Sequence, residues 1–322
     1  MKKLIMIFLT LGLLAVILSG CNETTASGDE NTSEGGNTDV VVVLKTLSSP
    51  YWKFVEAGAK QAFEDFEIKG KIVGPASESE IVEQINMMDD ALSQNPGALV
   101  VAPTQPPTAV PVFEKYRKKD IPVLLVDTNA DWTDKTTYIG TDNTTAGKLG
   151  GEYLASILQP GDKIAIIGGA LGNTATDQRI KGAMDALEEA GFEIVANQPA
   201  DSDRSKATNV MENMLQKNPD IKGVFSATDD MALGAIRAIE SKKLDVKVIG
   251  TDGTIEAIEA VIAGTLAGSV AQNPFEMGYQ GVENAIKAMK GEEIESRIDS
   301  GAEVISNENA SERLKFLQSL IN

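Results

Sequence analysis

The sequence predicts an α/β protein of two lobes, each built on a parallel sheet. One observation is a series of short apolar runs with no polar alternation: VVVVLK (40–45), KIVG (71–74), ALVVA (98–102), PVLLV (122–126), KIAIIG (163–168), GVFSA (223–227), VKVIG (246–250) and LAGSVA (266–271). Unbroken Val, Ile and Leu mark strands covered on both faces. A second is helical periodicity between the runs. Val55, Ala59, Ala62 and Phe66 share one face, as do Ile81, Ile85, Met88 and Leu92. Strand and helix in alternation give parallel sheets with right-handed crossovers. The third is length: about 280 residues of this pattern exceed what one sheet holds, so two lobes are expected.

The chain starts with something else. Lys2 and Lys3 precede an apolar stretch from Leu4 to Leu18, short for a membrane span and built like an export signal. It closes on Leu18-Ser19-Gly20-Cys21, which resembles the lipobox of bacterial lipoproteins. Residues 1–20 are therefore expected to be a signal peptide, with Cys21 lipidated as the first mature residue. Diacylation supplies the two-chain anchoring that one acyl chain does not. Residues 21–38 are small and polar and read as a flexible tether.

Composition narrows the function. Cys21 is the only cysteine, so no disulfide or thiolate metal site forms within one chain. There is no histidine, which removes the usual general base and the commonest zinc ligand together. Neither metal nor cofactor is expected. The formal charge is −18, and losing the leader removes two lysines and no acids. A chain this acidic is repelled by nucleic acid.

The first strand ends in KTLSSPYW, delivering Lys45, Ser48, Ser49, Tyr51 and Trp52 together. Pro50 suits the first turn of a helix, whose core stripe Trp52 or Tyr51 would extend. After PVLLV comes Asp127; after TYIG, the best candidate for the first crossing between lobes, come Asp142 and Asn143. After GVFSA come Thr228, Asp229 and Asp230; after VKVIG comes Asp252; LAGSVA ends in Gln272. Ligands of open parallel sheets bind beyond such strand ends. The same residue types cap helices, and for Asp142, Asn143, Thr228 and Asp229 capping and ligand contact both stand. Asp127 has no clear helix after it, and Thr254 is free to cap the helix after Asp252, so these two carboxylates point to ligand. Carboxylates, amides, cations and a flat aromatic face fit a sugar, whose edge carries hydroxyls and whose faces carry C–H. The tail, residues 310–322, reads as a helix with Leu314, Leu317 and Leu320 on one stripe.

Seven motifs in order, KTLSSPYW, GTDN, GNTATDQRIKGA, NQPADSDR, ATDDMALGA, GTDGT and VAQNP, resemble the type I periplasmic sugar-binding proteins of ABC importers, the ribose- and allose-binding members above all. The likeness covers nearly all of residues 40–305. It implies two Rossmann-like lobes joined by a three-segment hinge, with crossings near Thr141–Asp142, Gln272–Asn273 and Gly301–Ala302. The N-terminal lobe would then hold residues 39–141 plus 273–301, and the C-terminal lobe residues 142–272 plus 302–322 with the tail helix.

Carried over, the resemblance implies ligand contacts from Lys45, Ser49, Tyr51, Trp52 and Asp127 on one lobe. On the other it implies Arg179, Asp252 and Gln272, with Ser202 and Thr228 at the remaining positions. Three positions depart from the family pattern. Ser202 stands where ribose- and allose-type members place a large aromatic, and Thr228 and Ser49 each replace an asparagine. The particular sugar is therefore not carried over; a differently shaped monosaccharide, a sugar alcohol or a cyclitol fits equally. The expected function is extracellular capture of a small polyhydroxy ligand and delivery to an ABC permease, by a monomer anchored to the outer face of the cytoplasmic membrane or the periplasmic side of an envelope membrane. The alternatives are a sensor presenting ligand to a membrane receptor, an extracellular glycosidase using Asp127 and Asp252, and a repressor core. Missing histidine weighs against the enzyme, and the export signal against the repressor.

Overall fold

The computed structural model describes residues 39–320. The expected leader, Cys21 and the tether lie outside the described residues, as do the last two of the tail.

The chain first lays down β1 (Val40–Val43), α1 (Pro50–Asp65), β2 (Gly70–Val73), α2 (Ile81–Ser93), β3 (Ala98–Val101), α3 (Pro106–Arg117), β4 (Val123–Val126) and β5 (Thr137–Gly140). A second series follows: α4 (Asn143–Ser156), β6 (Lys163–Gly168), α5 (Thr174–Glu189), β7 (Glu193–Pro199), α6 (Arg204–Lys217), β8 (Ile221–Ser226), α7 (Asp229–Ser241), β9 (Lys247–Asp252), α8 (Ile255–Ala263) and β10 (Gly268–Ala271). The chain then returns through α9 (Pro274–Met289) and β11 (Arg297–Asp299), and ends with β12 (Glu303–Ile305) and α10 (Ala310–Leu320).

Two six-stranded sheets result, ordered β11-β5-β4-β3-β1-β2 and β12-β10-β9-β8-β6-β7. The first sheet is parallel throughout, and the second has one antiparallel pair, β10 with β12. The two lobes repeat one strand order.

The apolar runs lie inside because helices cover both faces of each sheet. Val40, Val42 and Leu44 pack with Val55 and Ala59 of α1 and Val282 and Ala285 of α9. Val41 and Val43 turn the other way, onto Met88 and Leu92 of α2 and Phe113 and Tyr116 of α3. In the second sheet Ile164 and Ile166 face one cluster, and Ala165 and Ile167 the other. Each fully buried Val or Ile contributes about 1.5–3 kcal/mol. Leu317 is buried in the tail helix, with Leu314 and Leu320 partly buried against the same cluster.

Four strands escape the apolar-run pattern. TYIG is strand β5, paired with β4, and the chain leaves the first sheet just after it. β7 (EIVANQP) is an edge strand, half-buried or exposed along its length, so it lacks a continuous oily run. β11 and β12 are three-residue edges.

The backbone passes between the lobes between β5 and α4, between β10 and α9, and between β11 and β12. These passages are bonded to one another. Thr141 Oγ1 lies 3.2 Å from Ser300 Oγ and donates to the Gly301 carbonyl at 3.1 Å, and Asn273 Nδ2 donates to the Ser300 carbonyl at 2.6 Å. From the tail helix, an Arg313 amino group donates to the Gln272 carbonyl at 2.6 Å.

Candidate functional site

Beyond the end of β1 the chain bends at Lys45, and Pro50 starts α1. Lys45 is buried, and its ammonium donates to Asp127 Oδ2 at 2.8 Å. Tyr51 Oη donates to Asp127 Oδ1 at 3.0 Å, and Thr128 Oγ1 to Oδ2 at 2.7 Å. Asp127 sits at φ +60°, an uncommon conformation for a residue with a side chain. Tyr138 Oη, bonded to the Asp127 carbonyl at 2.9 Å, helps hold it there. Burial raises the Asp127 pKa, but Lys45 and Arg179 outweigh it, so the carboxylate stays below its ordinary range. Tyr51 and Trp52 are both buried, at 4% and 2% exposure, in edge-to-face contact at 5.1 Å, so both join the core and both edge the cleft.

The opposite wall comes from the second lobe. α4 and α5 pack so closely that a Cβ on Gly147 would collide with the Arg179 carbonyl oxygen. This sets where Arg179 leaves the helix. Its Nε donates to Asn143 Oδ1 at 2.8 Å, and Nη1 to the Ala227 carbonyl at 2.9 Å and Asp252 Oδ1 at 3.2 Å. Asp252, at the end of β9, has φ +134°. Backbone held in such regions costs on the order of 1–3 kcal/mol and gathers at functional sites. Burial pushes the Asp252 carboxyl well up, Arg179 pulls it down and nearby Asp229 pushes it up again; the net shift is upward. The two facing carboxylates thus depart in opposite directions.

The residues open to two readings divide. Asp142 caps α4 by accepting from the Thr145 N–H at 3.0 Å. Asn143 orients Arg179. Asp229 is fully buried and accepts from the Thr254 N–H and hydroxyl and from Ser269, tying the start of α7 to the start of α8 and to β10. Burial pushes its pKa up to about 6. Thr228 caps α7 and also lines the cleft.

Lys45, Ser49, Tyr51, Trp52, Asp127, Arg179, Ser202, Thr228 and Asp252 line one cleft between the lobes, about 380 Å³ including its open mouth. Gln272 is not on the wall. It stands behind Asp252, donating Nε2 to Asp252 Oδ1 at 2.8 Å, with its own Oε1 buried and unpartnered. The lobes touch across the cleft. Ser49 Oγ donates to Asp230 Oδ2 at 3.0 Å, Thr174 Oγ1 to the Asn129 carbonyl at 3.0 Å, and Gln105 Nε2 to the Leu171 carbonyl at 3.3 Å.

Glu78, Ala175 and Thr176 also line the wall without having been singled out in the sequence, and Asp230 was named there only among the residues that follow GVFSA. Asp230 is in the first turn of α7, paired with Arg204 at 2.6 Å. Glu78 is on the β2–α2 loop and accepts from Trp52 Nε1 at 2.8 Å. The acidic, serine-rich stretch SESE (77–80) gives no signal separating it from a solvated loop. Among the described residues no His, Cys, Asp and Glu cluster suits a metal, and no helix is long and apolar enough to cross a membrane.

Two α/β lobes meeting over a cleft of paired charges, hydroxyls and an indole define a binding protein for a small polar molecule. The model of the periplasmic binding protein domain matches residues 40–293. The ribose import binding protein RbsB of Salmonella typhimurium is 33% identical over 259 residues, covering 80% of this chain and 87% of the relative. The D-allose-binding periplasmic protein of Escherichia coli is 32% identical, covering 82% and 88%. A carbohydrate transporter solute-binding protein from Agrobacterium radiobacter, solved with D-arabinose, superposes with a TM-score of 0.83 at 31% identity, covering 89% of this chain and 100% of that one. The chain belongs to the periplasmic binding protein family, in its type I sugar-binding branch. These relatives are transport binding proteins and not enzymes, which sets the glycosidase alternative aside.

Proposed function

We propose that this chain is the extracellular receptor of an ABC importer, capturing a monosaccharide or related polyol and handing it to the permease. The observation that carries the reading is convergence. Lys45 and Asp127 from one sheet, and Arg179 and Asp252 from the other, meet in one cleft. Asp252 Oδ2 and Arg179 Nη2 make no hydrogen bond among the described residues, which leaves an acceptor and a donor for hydroxyl groups. Each hydrogen bond to a charged group nets about 1.5–3 kcal/mol, so a few of them with Trp52 alongside reach micromolar affinity. Ligand bonded to both lobes favours the closed arrangement, which the permease would recognise. Lys45, Ser49, Tyr51, Trp52 and Asp127 act from the N-terminal lobe (39–141 plus 273–301). Arg179, Ser202, Thr228 and Asp252 act from the C-terminal lobe (142–272 plus 302–322), where Gln272 orients Asp252. Residues 1–20 direct export, Cys21 carries the lipid, and residues 21–38 tether the lobes to the membrane.

The test is a thermal-shift screen of the lobes over pentoses, hexoses, sugar alcohols and inositols. A ligand that binds only the native state raises the melting temperature. No rise with any of these classes, or turnover of a glycoside, refutes the reading. For the anchor, Cys21→Ser is expected to release the protein from the membrane fraction.

A further inference from the structure

We propose that Glu78 and Ser202, facing the cleft from opposite lobes, form a subsite that reads one ligand hydroxyl and sets which polyol is accepted. This rests on the function proposed above and deepens it.

The cleft holds four carboxylates, and three have cations. Asp127 has Lys45 at 2.8 Å, Asp252 has Arg179 at 3.2 Å and Asp230 has Arg204 at 2.6 Å. Glu78 has no cation partner among the described residues. Its one hydrogen bond occupies Oε1, through Trp52 Nε1, so Oε2 remains available. Its loop is held firmly for so polar a stretch. Ser48 Oγ donates to the Ala76 carbonyl at 2.9 Å, the Ala76 N–H donates to Glu80 Oε2 at 3.0 Å, and the Ser77 and Ser79 hydroxyls lie 2.9 Å apart.

Ser202 supplies the second half. Its Oγ is buried with no hydrogen-bond partner among the described residues, and its backbone sits at φ +54°. Burial raises the Glu78 carboxyl, against lowering by Lys45, Trp52 and the nearby Ser202 hydroxyl. The Ser202 hydroxyl therefore lies close to the Glu78 carboxylate, although the pair does not reach well-formed hydrogen-bond geometry. A half-buried carboxylate with no cation paired to it and a buried hydroxyl with no bond made are each less favourable until a partner arrives. One ligand hydroxyl satisfies both, donating to Glu78 and accepting from Ser202. Because the two residues belong to different lobes, both bonds form only with the lobes together.

Glu78 also holds the Trp52 indole, and the experiment separates that role from hydroxyl reading. Glu78→Gln keeps an acceptor for Trp52 Nε1 and removes the charge. D-Ribose, D-allose, D-arabinose and myo-inositol are titrated calorimetrically into the wild type, and the tightest of them is compared with its monodeoxy analogues in wild type, Glu78→Gln and Ser202→Ala. The expected result is that one monodeoxy analogue binds wild type about 10- to 150-fold more weakly than its parent, the span of a charged hydrogen bond, and that this ratio collapses in Glu78→Gln. Ser202→Ala reduces the ratio at the same hydroxyl, and serves alone if Glu78→Gln does not fold. Parent binding unchanged in both variants, or an equal loss with every analogue, overturns the subsite and leaves the receptor reading standing. No wild-type heat with any of the four probes overturns this proposal and counts against the function beneath it.

Discussion

Lys45→Met isolates the buried ion pair of the first lobe. Lys45 and Asp127 are 2.8 Å apart, and their side chains are 4% and 3% exposed. Removing one member of such a pair strands the other charge, a loss of about 3–5 kcal/mol. Tyr51 and Thr128 still donate to Asp127, so about 3 kcal/mol is expected. The sign with pH follows from the depressed Asp127 pKa: its contribution is present above the unfolded value of 3.8 and is lost as pH falls through the folded one. The wild-type advantage should therefore be full at neutral pH and shrink in acid. Trp52 and Trp132, the chain's two tryptophans, both belong to the first lobe, so their fluorescence in urea reports that lobe's unfolding. Lys45→Met with Asp127→Asn should recover more than half of the loss. Less than about 1 kcal/mol lost by the single variant at pH 7, or no recovery in the double, would refute an ion pair that stabilises through mutual compensation.

Arg179→Lys loses the fork that serves Asn143, Ala227 and Asp252 together, and calorimetry with the best sugar should show at least about 100-fold weaker binding. In Trp132→Phe the remaining Trp52 emission should shift on ligand addition; Trp132 itself packs on Phe113 with its N–H on Glu114, off the cleft wall. Asp229 has a folded pKa of about 6 against 3.8, so its contribution is present below 3.8 and is lost as pH rises through 6. Chemical denaturation should find Asp229→Asn gaining on wild type between pH 4 and 7, by about 3 kcal/mol. Gly147→Ala should cost about 2 kcal/mol or more in stability and weaken ligand binding as well, because separating α4 from α5 moves Arg179.

How far the sequence reached depended on burial. Strands covered on both faces announce themselves, as VVVV and KIAIIG do, whereas EIVANQP at a sheet edge looks like a loop. At the cleft, strand-end residues were legible because a parallel sheet fixes where its strands finish: Lys45, Asp127 and Asp252 all reach the wall. Capping was harder, since Thr228 and Asp229 are adjacent and chemically alike, yet one lines the cleft and the other is sealed behind it. Glu78 was invisible for a different reason. Its loop comes into place through tertiary bonds from Ser48 and Trp52, which leave no periodic trace. Gln272, expected to contact ligand, is instead turned toward Asp252 behind the wall, an orientation that spacing along the chain does not encode.

The three passages between the lobes lie together, tied through Thr141, Ser300 and Asn273, while Ser49 meets Asp230 on the cleft wall. In the proposed clamp this arrangement is a lever. A few degrees of bend at the stitched passages barely stretches their bonds, while displacement grows with distance from the pivot. Contacts such as Ser49–Asp230 therefore control the jaw with a longer arm than any bond at the fulcrum, and a single hydroxyl there can tune how often the jaw stands ajar.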